Sequence, residues 1–153
     1  MINWLYKFYF SFFHNVRFGK GVRISFPCNL YSCHIDDYAY IGRFVEVQND
    51  CYIGKRSRIS THSFIAAGSV IGNDVFVAHG VMTTNDRNPK ANNPYYRHEP
   101  ITIQDESWVG SGSVLAPGVV IYKGGKLGCG AVLTKSLPNG ETWVGNPARK
   151  LEK

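Results

Sequence analysis

The sequence predicts an all-β chain wound into a parallel solenoid that one inserted loop interrupts. Aliphatic residues recur at every sixth position in two uninterrupted runs. The first run is Ile35, Ile41, Val47, Ile53, Ile59, Ile65, Ile71 and Val77, and the second is Ile103, Val109, Leu115, Ile121, Leu127 and Leu133. An α-helix needs apolar residues at spacings of three and four, and a hairpin protein needs a spacing of two, so neither explains this period.

A second inward position follows four residues after each aliphatic, and its side chain is mostly small or slim, as at Ala39, Ser57 and Ser113. The residue directly after each aliphatic is often glycine or alanine, as a tight corner between short strands requires. Two inward positions in six residues fit a narrow triangular coil of three strands. Residues eighteen apart then stack on one face as parallel β-structure.

The chain of 153 residues, 44% hydrophobic, fits one domain with its own core. Within it the period predicts an N-terminal cap segment (1–17), coils (18–82), an inserted loop (83–101), further coils (102–136) and a C-terminal tail (137–153). Phe18, Ile24 and Leu30 keep the period, and a one-residue slip to Ile35 then predicts an irregular first coil.

Aromatic and aliphatic residues crowd the first thirteen positions, but Lys7 interrupts them and the run is too short to span a bilayer. The run also lacks the basic leading region and cleavage site of a signal peptide. Two interpretations remain: a cap over the open edge of the first coil, or a peripheral contact with a membrane surface or partner. The residues concerned are Trp4, Leu5, Tyr6, Phe8, Tyr9, Phe10, Phe12 and Phe13.

The formal net charge of +6 is spread over scattered lysines and arginines without a recognition-helix pattern, which argues against nucleic acid and favours small polyanions as ligands. Four cysteines, Cys28, Cys33, Cys51 and Cys129, show no paired spacing. We therefore expect free thiols and a cytoplasmic location.

Motifs after the loop resemble the C-terminal signature of the hexapeptide-repeat acyltransferases. They are Trp108-Val109-Gly110-Ser111, Ala116-Pro117-Gly118-Val119, Leu133-Thr134-Lys135-Ser136-Leu137-Pro138 and Val144-Gly145-Asn146-Pro147-Ala148-Arg149. The resemblance covers about residues 18 to 150 and is nearest to nucleotide-amino-sugar N-acetyltransferases and sugar O-acetyltransferases. It implies a left-handed β-helix, a homotrimer with active sites between subunits, acetyl-CoA as co-substrate and no metal.

Two histidines on the outer wall are the candidate catalytic residues. His79 lies two positions after an inward aliphatic, directly before the loop, and His62 lies about one coil earlier. We expect His79 to accept or orient a proton, assisted by Asp86 or His62. In the loop, Asn85, Arg87, Asn88 and Tyr95 are candidate contacts to the sugar substrate, although turn-forming roles would equally explain Asn85 and Asp86.

Many sugar O-acetyltransferases of this family carry an Asn-His-Pro or similar histidine in the loop, acting as the base for a hydroxyl. Here Asn88 directly precedes Pro89, so that histidine is missing. The stretch from Thr84 to Pro89 is similar to the loop of enzymes that acetylate nucleotide-linked amino sugars. An amine with a pKa of about 8 loses its proton far more readily than an alcohol, which favours N-acetylation. The role we expect for this reaction is surface polysaccharide biosynthesis. O-acetylation of a sugar or polysaccharide hydroxyl is the alternative.

The resemblance also places the pantetheine arm of acetyl-CoA between the coils of two subunits. The matching positions are Trp108, Ser111, Ala116 and Cys129 for the arm, and Thr134, Lys135, Pro147, Arg149 and Lys150 for the adenine and phosphates. A cation in the second group suits a phosphate, whereas packing for Trp108 and plain solvated charge for Lys135 and Arg149 are the simpler explanations.

Two further functions stay open on this fold. A trimeric carbonic-anhydrase-type enzyme needs three histidines around zinc, for which His62 and His79 would need His34 or His98 as a third ligand. A β-helical scaffold without activity would need no inserted loop.

Overall fold

The computed structural model describes residues 12–152, which form short strands in three sheets and contain no helix capable of spanning a membrane. Strands are numbered in chain order. Sheet A contains β1 (Phe12–His14), β4 (Asn29–Tyr31), β7 (Glu46–Val47), β10 (Phe64–Ile65), β13 (Met82–Thr83), β16 (Val114–Leu115) and β19 (Val132–Leu133). Sheet B contains β2 (Arg17–Phe18), β5 (His34–Ile35), β8 (Tyr52–Ile53), β11 (Val70–Ile71), β14 (Thr102–Ile103) and β17 (Val120–Ile121). Sheet C contains β3 (Arg23–Ile24), β6 (Tyr40–Ile41), β9 (Arg58–Ile59), β12 (Phe76–Val77), β15 (Trp108–Val109), β18 (Lys126–Leu127), β20 (Thr142–Val144) and β21 (Arg149–Lys150).

From β1 to β19 the chain visits sheets A, B and C in turn, and each of these strands pairs in parallel with the strand one coil away. Ile53 pairs with Ile71, eighteen residues later, as the period predicts. Phe18 pairs with Ile35, only seventeen residues later, so the irregular first coil is also observed. The predicted fold, an all-β left-handed parallel β-helix with one inserted loop, is confirmed.

Of the predicted N-terminal cap segment, residues 1–11 lie outside the described residues, so the capping role stays a prediction. The described end of the segment belongs to the solenoid, because β1 pairs with β4 in sheet A. The ring of Phe13 lies 5.8 Å from that of Phe18 and 5.6 Å from that of Phe26.

The core is a column of inward aliphatic side chains with small residues at the corners. Every aliphatic of the two six-residue runs is fully buried. Serines occupy several inward corner positions, and their hydroxyls donate to carbonyls of the next coil: Ser57 to Gly72 at 2.7 Å and Ser63 to Ala78 at 2.9 Å. A buried hydroxyl costs little when it is hydrogen-bonded, so these serines tie one coil to the next without penalty.

Three corners join the sheets, and we name them by the strands they connect. The B-to-C corner carries exposed ion pairs between neighbouring coils, including Lys55 with Asp37 at 3.4 Å and Arg56 with Asp74 at 2.6 Å. The hydrogen bonds from Arg56 lower the pKa of Asp74. The C-to-A corner contains His62 and His79, and the A-to-B corner contains the inserted loop.

The loop and the C-terminal segment differ slightly from their predicted bounds. Thr83 belongs to β13 and Ile101 is fully buried, so the irregular segment is shorter than 83–101. The coil that contains it closes when Ile71 pairs with Ile103, and is fourteen residues longer than a regular coil. The predicted tail is structured, because β20 extends sheet C beside β18 and β21 folds back against β20.

Truncating a core aliphatic should destabilise the solenoid far more than truncating its outward neighbour. We expect Ile71→Ala to lower the free energy of unfolding by about 2–5 kcal/mol, because it leaves a cavity in the fully buried column. The matched variant Val70→Ala, on a side chain that is 42% exposed in the same strand, should change it by less than about 0.5 kcal/mol. Denaturant titration of both variants measures the difference, and equal losses would contradict the inward register.

Candidate active site

The C-to-A corner aligns the two candidate catalytic histidines on consecutive coils. His79 lies between β12 and β13, and His62 lies between β9 and β10. The Gly80 N–H donates to the Thr61 carbonyl at 2.9 Å, and the Gly112 N–H donates to the His79 carbonyl at 2.8 Å. His79 therefore stacks above Thr61, and His62 stacks below Gly80, which makes the two histidines laterally offset neighbours.

Each coil contributes two residues to the tip of this corner. The first positions, along the axis, are Arg43, Thr61, His79, Ser111 and Cys129; the second positions are Phe44, His62, Gly80, Gly112 and Gly130. A Cβ atom added at any of the three glycines would meet no atom within 4 Å. The corner is consequently open from His79 toward the C-terminal coils and occupied by bulky side chains on the N-terminal side.

Both imidazoles are solvent-exposed, but their surroundings differ. The His62 ring stacks on the Phe44 ring, with centroids 4.8 Å apart and planes 29° apart. Within residues 12–152 neither His62 nor His79 makes a side-chain hydrogen bond or an ion pair. A histidine that acts as a base is usually oriented by a third group, so His79 would need such a group from outside residues 12–152.

The inserted loop leaves the coil at the other end of β13, at the A-to-B corner. Five extended residues separate the two corners, which corresponds to roughly 16 Å at about 3.3 Å per residue. His79 therefore precedes the loop closely in sequence but lies across the width of sheet A from it within one chain. The structure does not bring His79 and Asp86 together.

The base of the loop is held by hydrogen bonds to both neighbouring coils. The Glu99 N–H donates to the Asn85 carbonyl at 2.9 Å, and the Asn85 side chain donates to the Ala67 carbonyl at 3.2 Å. Arg87 bonds to the Glu99 carboxylate at 2.9 Å and to the Pro117 carbonyl at 2.6 Å. Asn85 and Arg87, two predicted substrate contacts, thus have clear anchoring roles in the loop.

The tip of the loop carries the remaining candidates. The Asp86 carboxylate accepts a hydrogen bond from the Asn88 N–H at 2.9 Å, forming a local turn, and Tyr95 is 85% exposed. The Tyr96 ring meets the His98 ring edge to face at 4.7 Å. Burial, and then the charge of Asp86, raise the pKa of Tyr96, so these two side chains are near each other. Tyr96 and His98 were not predicted as substrate or catalytic residues. The available signal in the sequence was their spacing of two, which places two side chains on the same side of an extended segment.

The predicted acetyl-CoA positions fall along both edges of sheet A. Trp108 lies on the outer face of sheet C, and Ser111 and Cys129 lie on the adjoining C-to-A corner. Ala116, Thr134 and Lys135 lie at the opposite edge, after β16 and β19. One chain therefore cannot place all of them along a single groove.

The three remaining positions lie at the C-terminal end of the solenoid and differ in charge pairing. Lys150 donates to the Glu141 carboxylate at 2.9 Å, and this bond, with a second from Trp143, lowers the pKa of Glu141. Arg149 bonds to the Ala148 carbonyl at 2.8 Å, and Pro147 is exposed beside it. Among the described residues, Arg149 and Lys135 form no ion pair with a carboxylate, so they are better placed than Lys150 to bind a phosphate.

The histidines of one chain do not converge on a metal site. His34 lies on sheet B against Tyr52, at 5.4 Å between ring centroids, and His98 lies in the loop. Across residues 12–152, no group of three or more His, Cys, Asp or Glu side chains is arranged to hold a metal ion.

Solved structures with the same architecture identify the fold. A hexapeptide transferase family protein from Anaplasma phagocytophilum superposes with a TM-score of 0.77 at 20% identity, covering 92% of this chain and 81% of the other. The chain has the hexapeptide-repeat transferase fold. The resemblance predicted from the sequence is thereby confirmed.

Two other solved hexapeptide-repeat proteins are named for different transfer reactions. A variant of AntD, an N-acyltransferase from Bacillus cereus, was solved with dTDP and coenzyme A; it has a TM-score of 0.60 at 20% identity over 92% of this chain and 81% of that chain. A maltose O-acetyltransferase from Clostridium difficile has a TM-score of 0.58 at 24% identity over 88% and 67%. At these identities the likeness establishes the fold and not the acceptor.

Sequence relatives of this hexapeptide-repeat protein match locally, and no family model matches the sequence. A Schizosaccharomyces pombe protein named as an acetyltransferase is 46% identical over 54 residues, covering 35% of this chain and 26% of that protein. A mitochondrial gamma carbonic anhydrase of Arabidopsis thaliana is 44% identical over 54 residues, covering 34% and 20%. The chain thus spans about a quarter or less of the length of these two relatives.

Proposed function

We propose that this protein transfers an acetyl group from acetyl-CoA to the amino group of a nucleotide-linked amino sugar. The observation that carries the proposal is the C-to-A corner, where His79 adjoins the open space beside Gly80, Gly112 and Gly130. Small residues let an extended pantetheine arm approach the backbone closely. Coenzyme A bound to AntD, an N-acyltransferase of the same fold, supports this choice of co-substrate.

The active unit is a homotrimer with its sites between subunits. The outer face of sheet A carries an apolar row of Phe64, Met82, Val114 and Val132, none of them buried, which a second copy would cover. In a cyclic assembly one patch meets a different patch of the next copy. In such a trimer the C-to-A edge of sheet A in one subunit would meet the A-to-B edge of sheet A in the next. The loop of the second subunit would then lie over His79 of the first, and the two edges would form the two walls of the acetyl-CoA groove.

The reaction is direct attack of the sugar amine on the thioester. The nitrogen lone pair forms a bond to the carbonyl carbon, the carbon–sulfur bond then breaks, and the sulfur leaves as the thiolate of CoA. His79 takes the proton that the nitrogen loses and returns it to the thiolate. Backbone N–H groups along the corner would stabilise the oxyanion, and Asp86 of the neighbouring loop would orient His79.

An amine acceptor is favoured because the loop lacks the histidine before Pro89 that hydroxyl acceptors would use. O-acetylation is the second candidate, and His98 is the observation that favours it. This imidazole is exposed in the loop and contacts the ring of Tyr96, so it could serve as the base for a hydroxyl.

A reducing compartment, the cytoplasm, suits the thiols of this enzyme. Cys33 and Cys51 are buried, and neither forms a disulfide within residues 12–152. Burial raises the pKa of Cys33 to about 11 and that of Cys51 to about 12, so both stay protonated at neutral pH.

Acetyl-CoA offered with nucleotide-linked amino sugars should release free thiol, and offered with the matching hydroxyl sugars it should release little. His79→Asn should lower kcat by about 10²–10⁴-fold, as expected for loss of a general base, while His98→Asn should leave amine transfer intact. Activity on hydroxyl sugars that depends on His98 would establish the O-acetyl alternative. Absence of thiol release together with stoichiometric zinc in chelator-free protein would favour carbonic anhydrase chemistry instead.

Filling the open space beside Gly80, Gly112 and Gly130 should weaken acetyl-CoA binding without unfolding the coil. Gly112→Asn puts a side chain into the open space, and Asp50 and Asp74 show that corners of this chain accept such residues at φ near 60°. We expect KM for acetyl-CoA to rise about tenfold, a loss of about 1.4 kcal/mol in binding. The control Gly124→Asn changes a glycine of similar φ on the B-to-C corner and should leave KM unchanged. Equal effects of both variants would contradict the placement of the arm.

Mixed trimers should recover activity that each parent variant lacks. One parent carries His79→Ala, and the other has residues 88–97 of the loop replaced by two glycines. If each site combines His79 of one subunit with the loop of the next, co-expression yields some sites with both parts intact, and thiol release returns. A double variant carrying both changes in one chain, expressed alone, is the inactive control. Failure of the mixture to exceed either parent would place the whole site within one subunit.

A further inference from the structure

We propose that Phe44 and His62 form the surface on which the sugar ring of the acceptor packs, with Arg43 binding an anionic group attached to that sugar. This inference rests on the proposed acetyl transfer and extends it to the acceptor half of the site. The acceptor class it names is a hexopyranose bearing a phosphate or carboxylate.

Phe44 is exposed where the coil does not require an aromatic residue. Its side chain is 54% exposed and its backbone has φ of 56°, in the left-handed region that bulky residues rarely adopt. The equivalent position is His62 in the next coil and glycine in the three coils after it. Corner residues of this chain adopt positive φ repeatedly, as at Tyr38 and Arg56, so this conformation belongs to the coil, and the exposed phenyl ring itself adds nothing to the buried core.

The pair presents a flat and preorganised aromatic surface. The two rings stack at 4.8 Å and 29°, so each restricts the rotation of the other. Aromatic rings pack well against the C–H face of a pyranose, because both surfaces are apolar and rigid. The pair lies on the same corner as His79, and with coils about 4.8 Å apart Phe44 stands about 10 Å along the axis from it. A hexopyranose whose amine is at His79 would cover His62 and reach toward Phe44.

One charged group next to the pair is placed to bind the rest of the acceptor. Arg43, directly before Phe44, is exposed and has no ion pair within the described residues, and a guanidinium binds phosphate or carboxylate with two parallel hydrogen bonds.

Phe44→Ala should raise KM for the acceptor by about tenfold and leave kcat and KM for acetyl-CoA nearly unchanged, because it removes ground-state binding only. Asn tolerates the left-handed backbone, so Phe44→Asn should raise the acceptor KM as Phe44→Ala does. Phe44→Tyr keeps the aromatic ring and should keep the acceptor KM near the wild-type value. Tyr38→Ala is the matched control: Tyr38 is also an exposed aromatic, at φ of 59°, but lies on the B-to-C corner. An unchanged acceptor KM in both Phe44 truncations, with transfer intact, would overturn the proposal.

Calorimetric titration of each acceptor without acetyl-CoA gives a second readout that does not depend on turnover. If wild-type protein binds the acceptor without transferring acetyl, the proposed reaction fails. Weaker acceptor binding by Phe44→Ala than by wild-type protein would still support the aromatic surface. Unchanged acceptor binding by Phe44→Ala would overturn it.

Arg43→Gln separates the anionic part of the acceptor from the ring. With a nucleotide-linked sugar, a sugar 1-phosphate, a hexuronic acid and a neutral methyl glycoside as probes, binding should weaken only for the charged probes. The charged probe whose affinity falls most in Arg43→Gln shows whether Arg43 binds a phosphate or a carboxylate. An equal loss for the neutral glycoside would overturn the assignment of Arg43.

Discussion

The stacking of coils in register is the constraint on which the rest of this structure depends. Each strand is only two or three residues long, so no coil is stable alone and each depends on the coils above and below for its hydrogen bonds. The inward aliphatic column enforces that register, because a one-residue slip would turn every Ile, Leu and Val outward. The same register converts sequence spacing into columns on the surface. His79, Ser111 and Cys129 line up for the same reason that Ile65 and Val47 do.

An insertion in such a solenoid is tolerated only where the next coil can still resume its register. The loop meets this condition because it leaves from a corner and its base is closed by the bond between Glu99 and Asn85. Arg87 then joins the loop to the coil above through Pro117, and Asn85 joins it to the coil below through Ala67. Asn85 and Arg87, which the sequence predicted as substrate contacts, therefore also keep the neighbouring coils in their regular geometry. The exposed tip, with Tyr95 and Asn88, is left for contacts outside the chain.

The period predicted the solenoid, its first irregular coil and the shared corner of His62 and His79, because each of these depends only on counting residues. Features that depend on side-chain conformation were not predictable in this way. The stacking of His62 on Phe44 and the pairing of Lys150 with Glu141 arise between exposed groups whose rotamers no repeat specifies. The separation of His79 from the loop follows from the width of sheet A, which five extended residues span. The proposed acceptor surface, Phe44 and His62, belongs to these exposed groups.

The corner also gives the proposed site a direction. Glycine at Gly80, Gly112 and Gly130 leaves room on the C-terminal side of His79, and Arg149, which forms no ion pair within residues 12–152, lies at the C-terminal end of the solenoid. Bulky aromatic side chains occupy the N-terminal side. A long flexible co-substrate with a phosphate-bearing end fits the first half, and a rigid ring fits the second. The thioester and the acceptor would then meet at His79 from opposite directions along the axis, so the proton, the nucleophile and the leaving group would share one corner without competing for the same space.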